Sequence, residues 1–266
     1  MRRLLLILLS AITIQLSAQP RVGFAYYDVD RAYDTLPSPF YDDRDFTPEG
    51  RNHWSTERYE RKTEAIAAVI DSMALPIVAL YGVENEQVVR DIVARTNGDY
   101  SYLHRTLNRL DGMDFALLYY GDVLFPERVE VGLDYMLIEA TIGNRSFAIV
   151  LAHRTRLLKS IVAQLQEHSP QRHIVVAGDL YGLNFAGLGL TDATAKAERA
   201  GHGNRVYRNE WRMFDRVVID RRLSTSCDVY ARGWLLDSNG EPKPTFNREN
   251  YVGGAGRKLP IFCYWW

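Results

Sequence analysis

Cysteine is nearly absent: only Cys227 and Cys263 occur in 266 residues. That excludes a disulfide-dense scaffold and any four-cysteine zinc site. Both fall in strand-like segments near the C-terminus, so one bridge between them and two buried free thiols remain the open alternatives. Net charge is also lacking. Lys and Arg number 32 against 33 acids, a formal charge of −1, so nothing draws the chain as a whole toward nucleic acid. A local basic group at Arg216, Arg221 and Arg222 reads as a solvated strand edge. His53, His104, His168, His173 and His202 have no metal-binding spacing and read as surface or loop residues. Internal repeats are missing, and so is low complexity outside the first residues.

One apolar run stands apart. Arg2 and Arg3 precede Leu4 to Ile14, and "LSA" (Leu16–Ala18) follows, before Gln19. A basic start, an apolar middle and small residues before a cleavage point are the signature of an export leader over residues 1–18. The run falls short of the roughly 20 apolar residues a spanning helix needs, and no nearby cysteine invites a lipid anchor. The expected product is an exported, periplasmic or extracellular chain, residues 19–266, folded as one domain with no membrane segment. The 47% hydrophobic content supplies a large core.

The remaining chain alternates strand-like and helix-like stretches. Continuous apolar runs, "VGFAYYDV" from Val22 and "PIVALYGV" from Pro76, read as strands covered on both faces. Ser55–Met73, Asn85–Thr96 and Arg156–His168 have helical spacing of apolar residues. "DFALLYY", "YMLIEATIG", "SFAIVLAH", "IVVAGD", "MFDRVVID", "DVYARGWLL" and "LPIFCYWW" read as strands, with a hairpin turn at Gly143–Ser146. Strands buried on both faces, together with one-sided helices, predict two packed sheets covered by helices. Tyr181 and the tail Tyr264–Trp266 read as core.

The order of several strings carries a resemblance: "PIVALYGVEN" at Pro76, "DGMDFALLYY" at Asp111, "AHRTR" at Ala152, "VAGDL" at Val176, "FDRVVID" at Phe214 and "GRKLP" at Gly256. This succession resembles the endonuclease/exonuclease/phosphatase superfamily, in its exported bacterial branch. The resemblance implies a four-layer α/β/β/α sandwich of two mixed sheets flanked by helices. It also implies a cleft where carboxylates hold a divalent metal, usually magnesium, and a histidine–aspartate pair activates water.

Carried over residue by residue, the site is degenerate. His153, Asp179 and Asp215 keep the family residue. Asp28 stands where the family has an asparagine, and Gly82 where it has the metal-binding glutamate. Tyr181 replaces an asparagine, Arg257 an aspartate and Lys258 the general-base histidine. Glycine offers a metal no side chain, and an arginine cannot orient a base. The leading reading is therefore a catalytically inactive member with a binding or scaffold role and no cofactor. The alternative is a magnesium- or manganese-dependent phosphodiesterase, nuclease or phosphatase whose site is rebuilt from Asp28, Asp179 and Asp215. Under the first reading a cation of the chain itself fills the metal's place, with Arg257 favoured over Lys258 for its two-pronged grip on carboxylates. The sequence names no substrate, partner or oligomeric state.

Overall fold

The computed structural model describes residues 21–185 and 187–266; the leader expected over residues 1–18 lies outside them. Strand β1 (Val22–Ala32) buries side chains in both directions. Phe24 and Tyr26 face one core and Ala25 and Tyr27 another, as the two-residue period of a strand requires. Helix α1 (Thr56–Met73) begins where the Ser55 side chain accepts the Arg58 N–H, and it ends at Ala74 in a left-handed conformation. Its Ile66, Val69 and Ile70 are buried. Then come β2 (Ile77–Val83) and α2 (Glu86–Val93), which Asn85 caps by accepting the Val88 N–H. Strands β3 (Tyr100–Arg105) and β4 (Asp114–Tyr120) follow.

The second half opens with β5 (Leu124–Gly132), β6 (Tyr135–Ile142) and β7 (Arg145–His153), joined as antiparallel neighbours. Helix α3 (Leu158–His168) crosses to β8 (His173–Asp179), parallel to β7. After β9 (Leu190–Asp192) and the short helix α4 (Ala195–Arg199), β10 (Arg205–Tyr207) and β11 (Glu210–Arg212) form a hairpin. Strands β12 (Asp215–Asp220) and β13 (Thr225–Val229), the small pair β14 (Phe246–Asn247) and β15 (Asn250–Tyr251), and β16 (Ile261–Trp265) complete the chain.

Two six-stranded mixed sheets result, ordered β13–β16–β1–β2–β4–β3 and β5–β6–β7–β8–β12–β9. Phe24, Phe115, Ile138, Phe147, Ile149 and Trp265 pack between them. Helices α1 and α2 cover the outer face of the first sheet, and α3 covers that of the second. This is the expected α/β/β/α sandwich. Strands β1 and β2 are parallel, as are β7 and β8, while β12 and β16 run antiparallel to β8 and β1. The ends of the first four strands and the starts of the last two therefore share one edge of the sandwich.

Several local expectations change. Strands β3 and β5 carry no clear signal because both lie at sheet edges. Most residues of β5, including Pro126 and Glu127, are exposed or half-buried. "DVYARGWLL" is not one strand: β13 ends at Val229, and a 3-10 turn covers Gly233–Leu235. Of the two outcomes open to Cys227 and Cys263, the structure has the bridge. The residues face each other across β13 and β16, and their sulfurs are bonded.

Candidate functional site

Strand register builds half of the site. The parallel register of β7 and β8 puts His153 beside Asp179, and the antiparallel register of β8 and β12 puts Asp215 on its other side. Gly178 lets this happen. A Cβ there would stand 1.8 Å from the Ala152 carbonyl oxygen, so only glycine permits the two strands to close just before Asp179. The other sheet contributes Asp28, opposite Tyr81 near the end of β1.

Lys258 joins the two halves. Its Nζ lies 2.6 Å from Asp215 Oδ1, 2.9 Å from Asp28 Oδ2 and 3.4 Å from Asp179 Oδ2. The lysine side chain is 6% exposed. Burial acts against its charge, but the Asp215, Asp28 and Asp179 carboxylates prevail and raise its pKa. Burial likewise acts against the Asp28 carboxylate, yet the Lys258 ammonium and the Asp30 N–H hold its pKa below the ordinary value. Asp215 goes the other way. Burial, reinforced by Asp28 and Asp179 and opposed by Lys258, pushes it up to about 6.

Arg257, the favoured internal cation, turns elsewhere. Its guanidinium donates to the Phe246 carbonyl and stands 3.5 Å from Asp30, with its side chain 41% exposed. The backbone decides between the neighbours. The Gly256 N–H donates to Lys243 O and the Leu259 N–H to Asn204 O, fixing the bent segment with Lys258 inward.

Four further residues shape the cluster without having been singled out in the sequence. Asn204 is fully buried. Its Nδ2 donates to Asp215 Oδ2 at 2.7 Å, and its Oδ1 accepts the Phe214 N–H at 2.9 Å. Arg154, beside His153 in "HRTR", donates from Nε to Asp179 Oδ2 at 3.1 Å. Lys62 of α1 donates to Thr245 Oγ1 and Ala255 O, anchoring the segment that leads to Lys258; burial lowers its pKa to about 8. Tyr26 is fully buried, and its hydroxyl has no hydrogen-bond partner among the described residues. Arg154 carried a signal, its place next to His153. Asn204 and Lys62 are distant in sequence from the cluster and lack one, whereas Tyr26 lies on β1 two residues before Asp28.

His153 lies in the cleft but makes no aspartate–histidine pair. Its ring stacks on Tyr81 at 4.3 Å, and its buried Nδ1 has no hydrogen-bond partner among the described residues. Burial lowers its pKa to about 4 against the opposing pull of Asp179 and Asp28, leaving a neutral imidazole near neutral pH. Tyr181 is not core: it is 46% exposed and stacks on Phe214 at 4.5 Å, because the loop after Asp179 carries it to the surface. Trp265 is core, whereas Tyr264 and Trp266 are half-buried. His104 is buried rather than on the surface and lies 3.0 Å from Asp114, an edge-strand position covered by the adjoining loop. Arg216 is paired with Asp192 and Glu198, and Arg222 with Asp220, so this basic group is largely neutralised locally.

The chemistry of the centre follows from these positions. Magnesium requires about six oxygen ligands at about 2.0–2.1 Å. Here the point where Asp28, Asp179 and Asp215 converge is held by an ammonium, and a divalent cation there would meet it at contact distance. Gly82 supplies no ligand. A Cβ added to it would lie 3.5 Å from Asp28 Oδ1, and its φ of +90° suits glycine. As an ammonium, Lys258 has no lone pair with which to accept a proton.

Comparison with known proteins gives the fold its relatives. The Endonuclease/Exonuclease/phosphatase family profile matches residues 23–141. No curated protein sequence matches the chain. Truncated TDP2 of Caenorhabditis elegans superposes with a TM-score of 0.63 at 12% identity, covering 92% of this chain and 98% of that one. An endonuclease/exonuclease/phosphatase of Bacteroides vulgatus gives 0.62 at 13% identity, with 93% and 99% covered. A mannosyl-6-phosphatase of Bacteroides thetaiotaomicron gives 0.61 at 11% identity, with 92% and 99% covered. With its two mixed sheets and flanking helices, the chain has the fold of these structures, and its residues 23–141 match the Endonuclease/Exonuclease/phosphatase family.

Proposed function

We propose that this chain is a non-catalytic member of its superfamily, exported and acting by binding rather than by hydrolysis. One observation carries the reading: the Lys258 ammonium lies between 2.6 and 3.4 Å from the three carboxylates that would otherwise hold a divalent cation. The same substitution removes the family's base, and Gly82 removes a metal ligand. The residues present therefore do not fit a catalytic metal. They form a buried ion cluster in which Lys258, with Arg154 on Asp179, offsets part of the charge of three carboxylates. Export is supported by the leader signature at residues 1–18 and by the Cys227–Cys263 bridge, which suits an oxidising compartment. No helix among the described residues is long and apolar enough to cross a membrane.

The convergence of Asp28, Asp179 and Asp215 also favours a second reading, a rebuilt magnesium or manganese site, which requires Lys258 to leave the centre. Phosphatase activity named for one structural neighbour defines a reaction to try. The test combines residues 19–266 with a nitrophenyl phosphodiester, a nitrophenyl phosphomonoester, mannose 6-phosphate and plasmid DNA, each with magnesium or manganese. The expected result is turnover indistinguishable from that of Asp179→Asn. Metal-dependent turnover abolished by Asp179→Asn overturns the non-catalytic reading and establishes the second.

A further inference from the structure

A cavity of about 740 Å³ lies outside the lysine-centred cluster, between the loop Asp34–Tyr41 and the loop Thr106–Gly112. Its walls are tied together. The Tyr33 hydroxyl donates to the Asp111 carbonyl oxygen at 2.8 Å. The Tyr41 ring packs so closely on Gly112 that a Cβ there would come within 2.4 Å of it. The space is in the range of pockets that hold small organic ligands.

Its lining has two characters. At the mouth, Leu36, Phe40 and Leu110 are 70%, 89% and 95% exposed. Single exposed apolar side chains are ordinary; three around one cavity form an apolar rim. Inside lie Asp34 and Glu84. Asp34 accepts from the Leu36 N–H and from Asn85 Nδ2, while Glu84 accepts from the Asp34 N–H and the Tyr41 hydroxyl. Those donors are all neutral. The cation that lines the cavity, Arg109, is engaged by Asp111 and Asp134. Asp114 is engaged by His104 and the Leu107 N–H.

We propose that this cavity binds a small organic cation with an apolar or aromatic body. The ammonium or guanidinium head compensates Asp34 beside the buried Glu84, and the body covers Leu36, Phe40 and Leu110. Charge complementarity selects this class: an anion would meet the Asp34 carboxylate, whose donors are neutral, and a neutral apolar molecule would leave that charge uncompensated in a partly dehydrated space. The proposal goes beyond the non-catalytic reading and does not depend on it, since Asp28, Asp179, Asp215 and Lys258 do not line the cavity.

The test is calorimetric titration of residues 19–266 with phenethylamine, phenethyl alcohol and 3-phenylpropionate, which share a skeleton and differ in charge. The amine should bind roughly tenfold more tightly than either analogue. Asp34→Asn should weaken it by roughly fivefold or more, and Leu110→Ser, at an exposed position that spares the fold, by roughly threefold. Leu133→Ser, at an exposed position outside the cavity, should leave amine binding unchanged. Equal binding of the three compounds, no binding of the amine at millimolar concentration, or unchanged amine affinity in both cavity variants overturns the cation site. None of these outcomes bears on hydrolysis, so the two readings fail separately.

Discussion

Lys258 Nζ and Asp215 Oδ1 are 2.6 Å apart with both side chains buried. This contact lies between the two sheets, since Asp215 begins β12 and Lys258 precedes β16. It forms part of a three-way contact with Asp28 and Asp179. Removing the lysine leaves buried carboxylates facing one another. Lys258→Met should therefore cost about 3–5 kcal/mol in denaturant unfolding. Adding Asp215→Asn should restore part of that, and magnesium or manganese should stabilise the single variant more than the parent. An unchanged unfolding midpoint in Lys258→Met would show that the lysine is not the cluster's counter-ion.

Asn204 holds Asp215 from the side opposite the lysine, through Nδ2 to Oδ2 and through Oδ1 to two backbone N–H groups. Truncating it leaves those buried groups unsatisfied. Asn204→Ala is expected to cost about 2–3 kcal/mol. Combined with Lys258→Met, its cost should depart from additivity, because both side chains share Asp215. Strict additivity in the double-mutant cycle would separate Asn204 from the cluster.

Glu84 gives a pH signature of its own. Burial, opposed by the Asp34 N–H and the Tyr41 hydroxyl, pushes its pKa from 4.5 to about 8. The folded state then binds this proton more tightly than the unfolded state. The group's contribution is fully present below 4.5 and is lost as pH rises to about 8. Relative to Glu84→Gln, the parent should lose on the order of 3 kcal/mol across that interval. Parallel stability curves for the two proteins would refute the shift.

The Cys227–Cys263 bridge closes a loop with a sequence separation of 36. Chain entropy sets its contribution at about 4 kcal/mol. Replacing both cysteines with serine should lower the unfolding midpoint accordingly, and a reducing agent should lower that of the parent but not of the variant. If reduction leaves the parent's midpoint unmoved, the bridge contributes nothing to stability.

Export should remove residues 1–18 and leave Gln19 first. Intact mass of the secreted chain measures this directly. A secreted or membrane-bound product that still begins at Met1 would exclude the cleaved-leader reading.

Much of the architecture was legible in the sequence because burial writes periodic patterns. β2 is apolar at every position because both of its faces are covered, and α1 repeats Ile66, Val69 and Ile70 along one side. The helical stretches expected from Ser55 and from Asn85 start at the residues whose side-chain oxygens cap α1 and α2. Motif order nominated Asp28, Asp179, Asp215 and Lys258 for one cleft, and these four side chains meet there. Edge strands were harder: β3 and β5 have one hydrogen-bonded neighbour each, so their residues are less constrained to be apolar.

Other features belong to tertiary structure alone. Adjacent Arg257 and Lys258 are both cations, and the preference for arginine rested on side-chain chemistry. Backbone bonds from Gly256 to Lys243 and from Leu259 to Asn204 selected lysine instead. Asn204 and Lys62 gave no warning because their partners are remote in sequence: Lys62 and Ala255 are 193 residues apart. The sequence determined which charges the cleft contains. The packing of two sheets determined which charges touch, because distances between side chains on different strands depend on register and loop path, and neither is encoded by residue type at a single position.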